Sequence, residues 1–303
     1  MVSNSTIISM YITVIISVAA LAAPFLVIFI TSHKRESGLW SSLGLGILGQ
    51  FWSQHLLLIP VMYVFTLFGW FMTIYEDKSY YLLYAFITSI ILVALTALGR
   101  LWSIWLMNKR TPSLYRALCA GIGFGGVKVF SMVVSYVSYI SYCNEINSVG
   151  VETFTENLKK ARTNLTAESI NNLVQQLTDA DPYSIIMEGI NMIFIVAVEA
   201  ALAVVIYEGI IRHRLWIATA ISAGINLVYT YIGTVIGASA TDKLDNIMSK
   251  GMSSNIYNAY MLMCGLISGW VIMKAVGKYK AMVAEGPYTL TYFEKESKKS
   301  GTD

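Results

Sequence analysis

The sequence predicts an all-α, polytopic integral membrane protein built as a bundle of seven transmembrane helices. The chain has 303 residues, of which 56% are hydrophobic and only 13% charged, and its mean hydropathy is +0.60. Soluble domains have about 25% charged and about 45–50% apolar residues, so this composition leaves too little polar surface for one. Apolar runs also fill most of the chain, which leaves no room for a separate soluble domain.

Seven runs are long enough to cross a bilayer, which takes about 20 mostly apolar residues. They are Thr6–Ile30, Trp40–Met62, Tyr80–Ile104, Leu114–Tyr142, Tyr183–Tyr207, Leu215–Gly237 and Ile256–Val276. The second run stays apolar as far as Ile74, but it contains Pro60, and proline removes a helix hydrogen bond and clashes with the preceding turn. We therefore expect a kink at Pro60, followed by a helical or re-entrant extension.

The basic residues predict an N-out/C-in orientation, because lysine and arginine favour the cytoplasmic side in short loops. With the N-terminus outside, 14 of the 21 lysines and arginines, Arg100 among them, fall in cytoplasmic segments. Six fall in outer segments, and Lys128 remains inside the fourth span.

The apolar and polar stretches divide the chain into a membrane domain over residues 1–284 and a polar cytoplasmic tail over 285–303. Within the membrane domain, residues 144–182 form an extracytoplasmic insertion between the fourth and fifth spans. Helical spacing of apolar residues from Val151 to Leu177, with a break near Thr166, predicts two short amphipathic helices there. These helices either cap the outer mouth of the bundle or grip a partner, and the lysine-rich tail is expected near lipid headgroups.

Three ionisable residues inside the spans are the most informative: Lys128 in the fourth, and Glu188 and Glu199 in the fifth. A charge at the bilayer centre costs about 2.5–3.5 kcal/mol, so such groups face the bundle interior and usually have a partner. We predict an ion pair between Lys128 and Glu199. The pair either only fixes helix packing or belongs to a site in a buried polar cavity.

A glycine-rich stretch, residues 121–126, comes just before Lys128 and has four glycines in six positions. Glycine lets membrane helices approach closely, and it also weakens a helix, so this segment could unwind to face a cavity.

Metal ligands are scarce. Of the three histidines only His55 lies inside a span, where it is a weak candidate ligand because a lone histidine more often bonds to a neighbouring helix. The cysteines, Cys119, Cys143 and Cys264, form no CxxC motif. We therefore expect no resident metal or other cofactor.

The sequence resembles the YhfC-type family of intramembrane metalloproteases, which are similar in character to CAAX-processing and PrsW-like proteases. The resemblance rests on the second-span ending Gln54-His55-Leu56-Leu57-Leu58-Ile59-Pro60, the Arg116-x4-Gly121-x-Gly123-x-Gly125 run, and the acidic fifth span. It implies a membrane site in which acids and imidazoles hold a metal and activate water.

Transferred residue by residue, the resemblance places Lys128 where the family's glycine run ends in a glutamate. Glu199 matches the family's second glutamate, but Ala200 replaces the arginine after it. Tyr207 stands at the histidine position eight residues further on, and Gly224, near Asn226, stands about where the sixth-span histidine is expected. The resemblance thus implies that the fold is kept and the hydrolytic site is lost.

These observations predict a non-catalytic, protease-like membrane protein that binds a membrane segment or hydrophobic peptide in a regulatory or protective role. The expected cavity residues are Lys128, Glu199, Glu188, Tyr207 and Asn226, and Glu199 is the only catalytic position that matches. One alternative is an active metalloprotease with a reduced zinc site of Glu199, Glu188 and His55. Another is a transporter or channel with a Lys–Glu polar path.

The expected partners are membrane lipid and another membrane protein or hydrophobic peptide, with no nucleic acid. We expect a multi-pass protein of a bacterial plasma membrane.

Overall fold

The computed structural model describes residues 1–32, 36–108, 112–162, 166–239 and 250–284, and within these ranges the chain is helical with no strand. The α-helices, in chain order, are α1 (Asn4–Ser32), α2 (Leu39–Phe51), α3 (Ile59–Thr66), α4 (Gly69–Glu76), α5 (Tyr81–Asn108), α6 (Leu114–Val149), α7 (Val151–Ala161), α8 (Ala167–Thr178), α9 (Pro182–Ile211), α10 (Leu215–Ser239) and α11 (Lys250–Ala284).

Seven helical stretches among the described residues are long and apolar enough to cross a membrane, which confirms the predicted seven-helix, all-α architecture. They are Asn4–Ser32, Leu39–Thr66, Lys78–Asn108, Leu114–Val149, Pro182–Ile211, Leu215–Ser239 and Gly251–Ala281. The N-out/C-in orientation and the division into domains stay predictions. The tail proposed for residues 285–303 lies outside the described part of the chain.

The second span changes its helix type just before Pro60. A π-helical turn, Trp52–Leu58, joins α2 to α3, and Pro60 lies in the first turn of α3. Because proline cannot donate the hydrogen bond that the turn before it needs, the wider turn accommodates it without ending the span. The apolar extension that the sequence predicts is the separate helix α4.

Helices α6 and α9 form the centre of the bundle. More than 60% of the residues in their most apolar stretches are buried, against 33% or less in the other five spans. Two α6 glycines pack directly on α9: a Cβ added at Gly121 would lie 2.7 Å from Ala200 Cα, and one at Gly125 would lie 3.1 Å from Val196 Cα. This close approach holds the two helices in register beside Glu199.

The glycine-rich stretch also brings α6 against α2. A Cβ added at Gly123 would overlap the Leu43 carbonyl, and one added at Gly46 would overlap the Ala120 carbonyl. The stretch stays α-helical throughout, so the expectation that it unwinds is wrong. Backbone contact on two sides holds it helical despite its low intrinsic helix propensity.

The two amphipathic helices between the fourth and fifth spans are α7 and α8. Their apolar faces are buried in a cluster with the beginning of α1 and the last turns of α6; the helices contribute Phe154, Leu158, Ile170, Val174 and Leu177. Asn147 accepts a hydrogen bond from the Val2 backbone amide at 2.8 Å and donates one to the Val2 carbonyl at 2.9 Å. These helices therefore close one end of the bundle.

Candidate functional site

An ionic cluster of three side chains lies at the centre of the bundle, built around Glu199 on α9. The carboxylate is almost fully buried, and each of its oxygens has a cationic partner. Lys128 Nζ donates to Oε1 at 3.0 Å, and the Arg100 guanidinium donates from Nη2 to Oε2. The Lys128–Glu199 contact expected from the sequence is present, and a second cation joins it.

Arg100 is the residue that the sequence reasoning missed. It was assigned to a cytoplasmic segment near the end of the third span, but its side chain is 0% exposed, and α5 continues for two further turns to Asn108. The guanidinium carbon lies 4.8 Å from the centre of the Phe124 ring. Arg100 Nε and Nη1 have no hydrogen-bond partner within the described structure, so Glu199 is the main source of compensation for this charge.

The ionic cluster borders a cavity of about 290 Å³, and six of the seven spans contribute to its wall. The lining residues are Gln54, Leu92, Thr96, Lys128, Ile195, Glu199, Asn226, Tyr229, Thr230, Gly233, Thr234, Tyr257, Tyr260 and Met261. Amides and hydroxyls dominate this set. Asn226 Nδ2 donates to Thr96 Oγ1 at 3.4 Å, and Thr230 Oγ1 donates to Asn226 Oδ1 at the same distance.

Two residues expected at this cavity lie elsewhere. Glu188 is exposed and accepts a hydrogen bond of 2.7 Å from the Tyr136 hydroxyl. Tyr207 is 3% exposed in the hydrophobic core, with its ring centre 6.4 Å from that of Tyr279. At about 1.5 Å per residue, Glu188 is about 16 Å and Tyr207 about 12 Å along α9 from Glu199. Each is therefore too far along the axis to share its cavity.

His55 also lies outside the cavity. Its side chain is exposed on the π-helical turn, and its ring centre is 4.8 Å from that of Phe51. The preceding residue, Gln54, lines the cavity instead. The structure therefore does not bring His55, Glu188 and Glu199 together.

A scan against protein-family models matches residues 18–252 to the YhfC intramembrane metalloprotease model. This match covers more than half of the chain. The protein belongs to the YhfC intramembrane metalloprotease family. No curated protein and no solved structure matches the chain.

Membership of the YhfC family implies a metal, but the residues in this cavity do not fit one. A catalytic zinc takes three protein ligands from histidine, cysteine or carboxylate side chains and keeps an open position. Within the described ranges, Glu199 is the only such side chain lining the cavity, and no three such residues cluster. Both oxygens of Glu199 are already bound to cations, and Lys128 would repel a dication.

Two further positions transferred from the YhfC family resemblance also lie away from the cavity. Gly224 is exposed, and a Cβ added there would meet no atom within 4 Å. Tyr207 lies in the core as described above. Asn226, two residues after Gly224, lines the cavity. Near Glu199 the sixth span therefore contributes an amide side chain where the family resemblance expects a histidine.

Proposed function

We propose that this member of the YhfC family is a non-catalytic membrane protein that binds a membrane segment or hydrophobic peptide through its central cavity. The observation that carries the proposal is the state of Glu199, whose two oxygens are paired with Arg100 and Lys128. A regulatory or protective role, in the plasma membrane of a bacterium and in contact with membrane lipid, is part of the same proposal.

Hydrolysis of a peptide bond in this family needs a group that binds metal or takes a proton from water. A carboxylate that accepts from both an arginine and a lysine is a poor ligand and a weak base, because both cations stabilise its charged, fully paired form. Glu188 and His55 lie outside the cavity and cannot replace it. The described residues therefore favour the non-catalytic proposal over the reduced-site protease.

The cavity itself suits recognition of a polar group within the membrane. Its walls carry amide and hydroxyl groups from several helices, including Gln54, Asn226 and Thr234. At about 30 Å³ per water molecule, its volume corresponds to about ten waters. This admits a side chain or a chain terminus but not a whole helix, so a bound segment would lie against the bundle and insert one polar group.

The first experiment measures zinc per chain, by elemental analysis of protein purified without chelator, together with cleavage of a hydrophobic reporter peptide. We expect less than about 0.1 zinc per chain and no cleavage, in the wild type and in Glu199→Gln alike. Glu208→Gln, which removes a carboxylate that pairs with Lys278 outside the cavity, is the matched control. Near-stoichiometric zinc or cleavage that is lost only in Glu199→Gln would refute the non-catalytic proposal.

A second experiment tests binding directly. A photo-crosslinking amino acid replaces Thr234, which lines the cavity, or Trp216, which is on the same helix but 73% exposed. Both variants are reconstituted in vesicles with single-span leucine–alanine peptides that carry one central polar residue. We expect crosslinks from position 234 that depend on the polar residue. Crosslinks that form equally from position 216, or with an all-apolar peptide, would contradict binding through the cavity.

A further inference from the structure

We propose that the polar group recognised in this cavity is a carboxylate attached to an apolar carrier. The inference deepens the proposed function. A peptide as the carrier rests on that proposed function, whereas the preference for a carboxylate rests on the charges in the structure. The same carboxylate chemistry could arrive on a membrane peptide or on a free fatty acid, and the test below separates the two sources.

The charges of the ionic cluster do not balance. Arg100 and Lys128 carry one positive charge each and Glu199 carries one negative charge, so one positive charge remains. Arginine stays protonated in proteins, and Lys128 Nζ forms an ion pair with Glu199 Oε1 at 3.0 Å. Glu199 is the only acid among the described residues that line the cavity. An uncompensated charge inside a membrane protein is costly, and an incoming anion would remove that cost.

Hydrogen-bond donors are available where the anion would bind. The Lys128 ammonium has three N–H groups, and one of them donates a hydrogen bond to Glu199. Its side chain is 32% exposed and lines the cavity, which leaves room for a ligand beside Nζ. Asn226 makes one long bond, at 3.4 Å, through its amide nitrogen, so it can shift to a better acceptor. Together these groups offer a carboxylate charge-assisted and neutral hydrogen bonds.

The shape of the cavity limits what else could bind. Leu92, Ile195 and Met261 form part of its wall, so the carbons next to a carboxylate would contact apolar side chains. A volume of about 290 Å³ accommodates the end of a glutamate side chain or of a fatty acid. The two cations that already pair with Glu199 also disfavour an amine, which would add a third positive charge.

The test measures the dissociation constants of two fluorescent single-span leucine–alanine peptides for the protein in lipid nanodiscs, with empty nanodiscs as background. One peptide carries a central glutamate and the other a glutamine. Decanoate and decanol are then added as competitors. We expect the glutamate peptide to bind about tenfold or more tightly, the change expected for a hydrogen bond to a charged group. We also expect decanoate, but not decanol, to displace it.

Two variants change the cavity charge in opposite directions. Lys128→Met removes the surplus positive charge, and we expect it to abolish the preference for glutamate. Glu199→Gln increases the surplus, and we expect it to strengthen binding of the glutamate peptide. Lys274→Met is the matched control, because Lys274 lies on α11 with its Nζ 4.3 Å from the centre of the Trp270 ring and does not line the cavity. Thermal unfolding of each variant verifies that it is folded.

The outcomes separate this inference from the proposed function. Equal binding of both peptides would overturn the carboxylate inference and leave peptide binding standing. Binding of decanoate without either peptide, if it is lost in Lys128→Met, would support the carboxylate inference and contradict the peptide carrier. A preference for glutamate that survives in Lys128→Met would overturn the assignment of the anion to this cavity, and the absence of any binding would overturn both proposals.

Discussion

Removing the Glu199 carboxylate should destabilise the protein far more than removing it together with its buried partner. Glu199 is 2% exposed and Arg100 is 0% exposed, and two of the Arg100 nitrogens have no hydrogen-bond partner among the described residues. Breaking a buried ion pair from one side typically costs about 3–5 kcal/mol, because it leaves an uncompensated charge, whereas replacing both partners by apolar residues is often nearly neutral. We therefore expect Glu199→Met to cost about 3–5 kcal/mol and Arg100→Met/Glu199→Met about 1 kcal/mol or less.

Replacing Lys128, which is partly exposed, should destabilise the protein less than replacing Glu199. Lys128 is 32% exposed, so its ammonium can turn into the cavity when its partner is lost. Lys128→Met leaves Glu199 still paired with Arg100 and should cost about 1 kcal/mol or less, close to the range of partly solvated pairs.

The assay is unfolding in detergent followed with a thiol-reactive dye, since Cys119 and Cys143 are buried in the folded protein. Glu188→Met serves as the control for a carboxylate outside the ionic cluster. If the effects of Arg100→Met and Glu199→Met simply add in the double variant, the two residues are not coupled. That result would refute the reasoning from the buried pair.

Three further predictions follow from packing and helix capping. Gly123→Ala should destabilise the protein by about 1–3 kcal/mol, as overpacking does, while Gly224→Ala, with no neighbour within 4 Å, should be close to neutral; both are measured by the same unfolding assay. Phe154→Ala should cost about 3–5 kcal/mol locally and increase hydrogen exchange across α7 and α8, whereas exposed Lys159→Ala should leave exchange unchanged. Hydrogen bonds from Ser184 lower the pKa of Asp181 below its usual value. The stabilisation that Asp181 gives as the cap of α9 should therefore be complete above the pKa of Asp181 in the unfolded chain. It should be lost as the pH falls through the lower pKa of Asp181 in the folded protein. An Asp181→Asn variant should show capping without this pH dependence, seen as exchange of the first turn of α9.

The seven spans were predictable because each needs only a run of apolar residues of sufficient length, which does not depend on how the helices pack. Lys128 and Glu199 were predictable as partners for a similar reason, since charges of opposite sign inside spans favour pairing. Arg100 was not, because an arginine eight residues before the end of its helix resembles a residue that flanks the membrane. A signal was available: six apolar or aromatic residues follow Arg100 before Asn108, so the apolar run continues well past the arginine.

The face on which each side chain lies was harder to predict. A regular helix advances about 100° per residue, but the π-helical turn before Pro60 changes this phase. His55 thereby lies on the exposed side, while Gln54 lines the cavity. Tyr207 was assigned to the site from the family resemblance alone, and its position two helical turns beyond Glu199 follows directly from its spacing of eight residues.

The ionic cluster also explains how a carboxylate can stay buried in a cavity whose described lining offers no other metal-binding side chain. A divalent ion would supply two positive charges to the acids that hold it. Arg100 and Lys128 supply the same two charges to Glu199 from side chains of α5 and α6. Because two positive charges face one acid among the described residues, the proposed anion site would have the net attraction for anions that a metal site has, without a metal's ability to activate water. A site altered in this way would lose hydrolysis while still recognising a carboxylate.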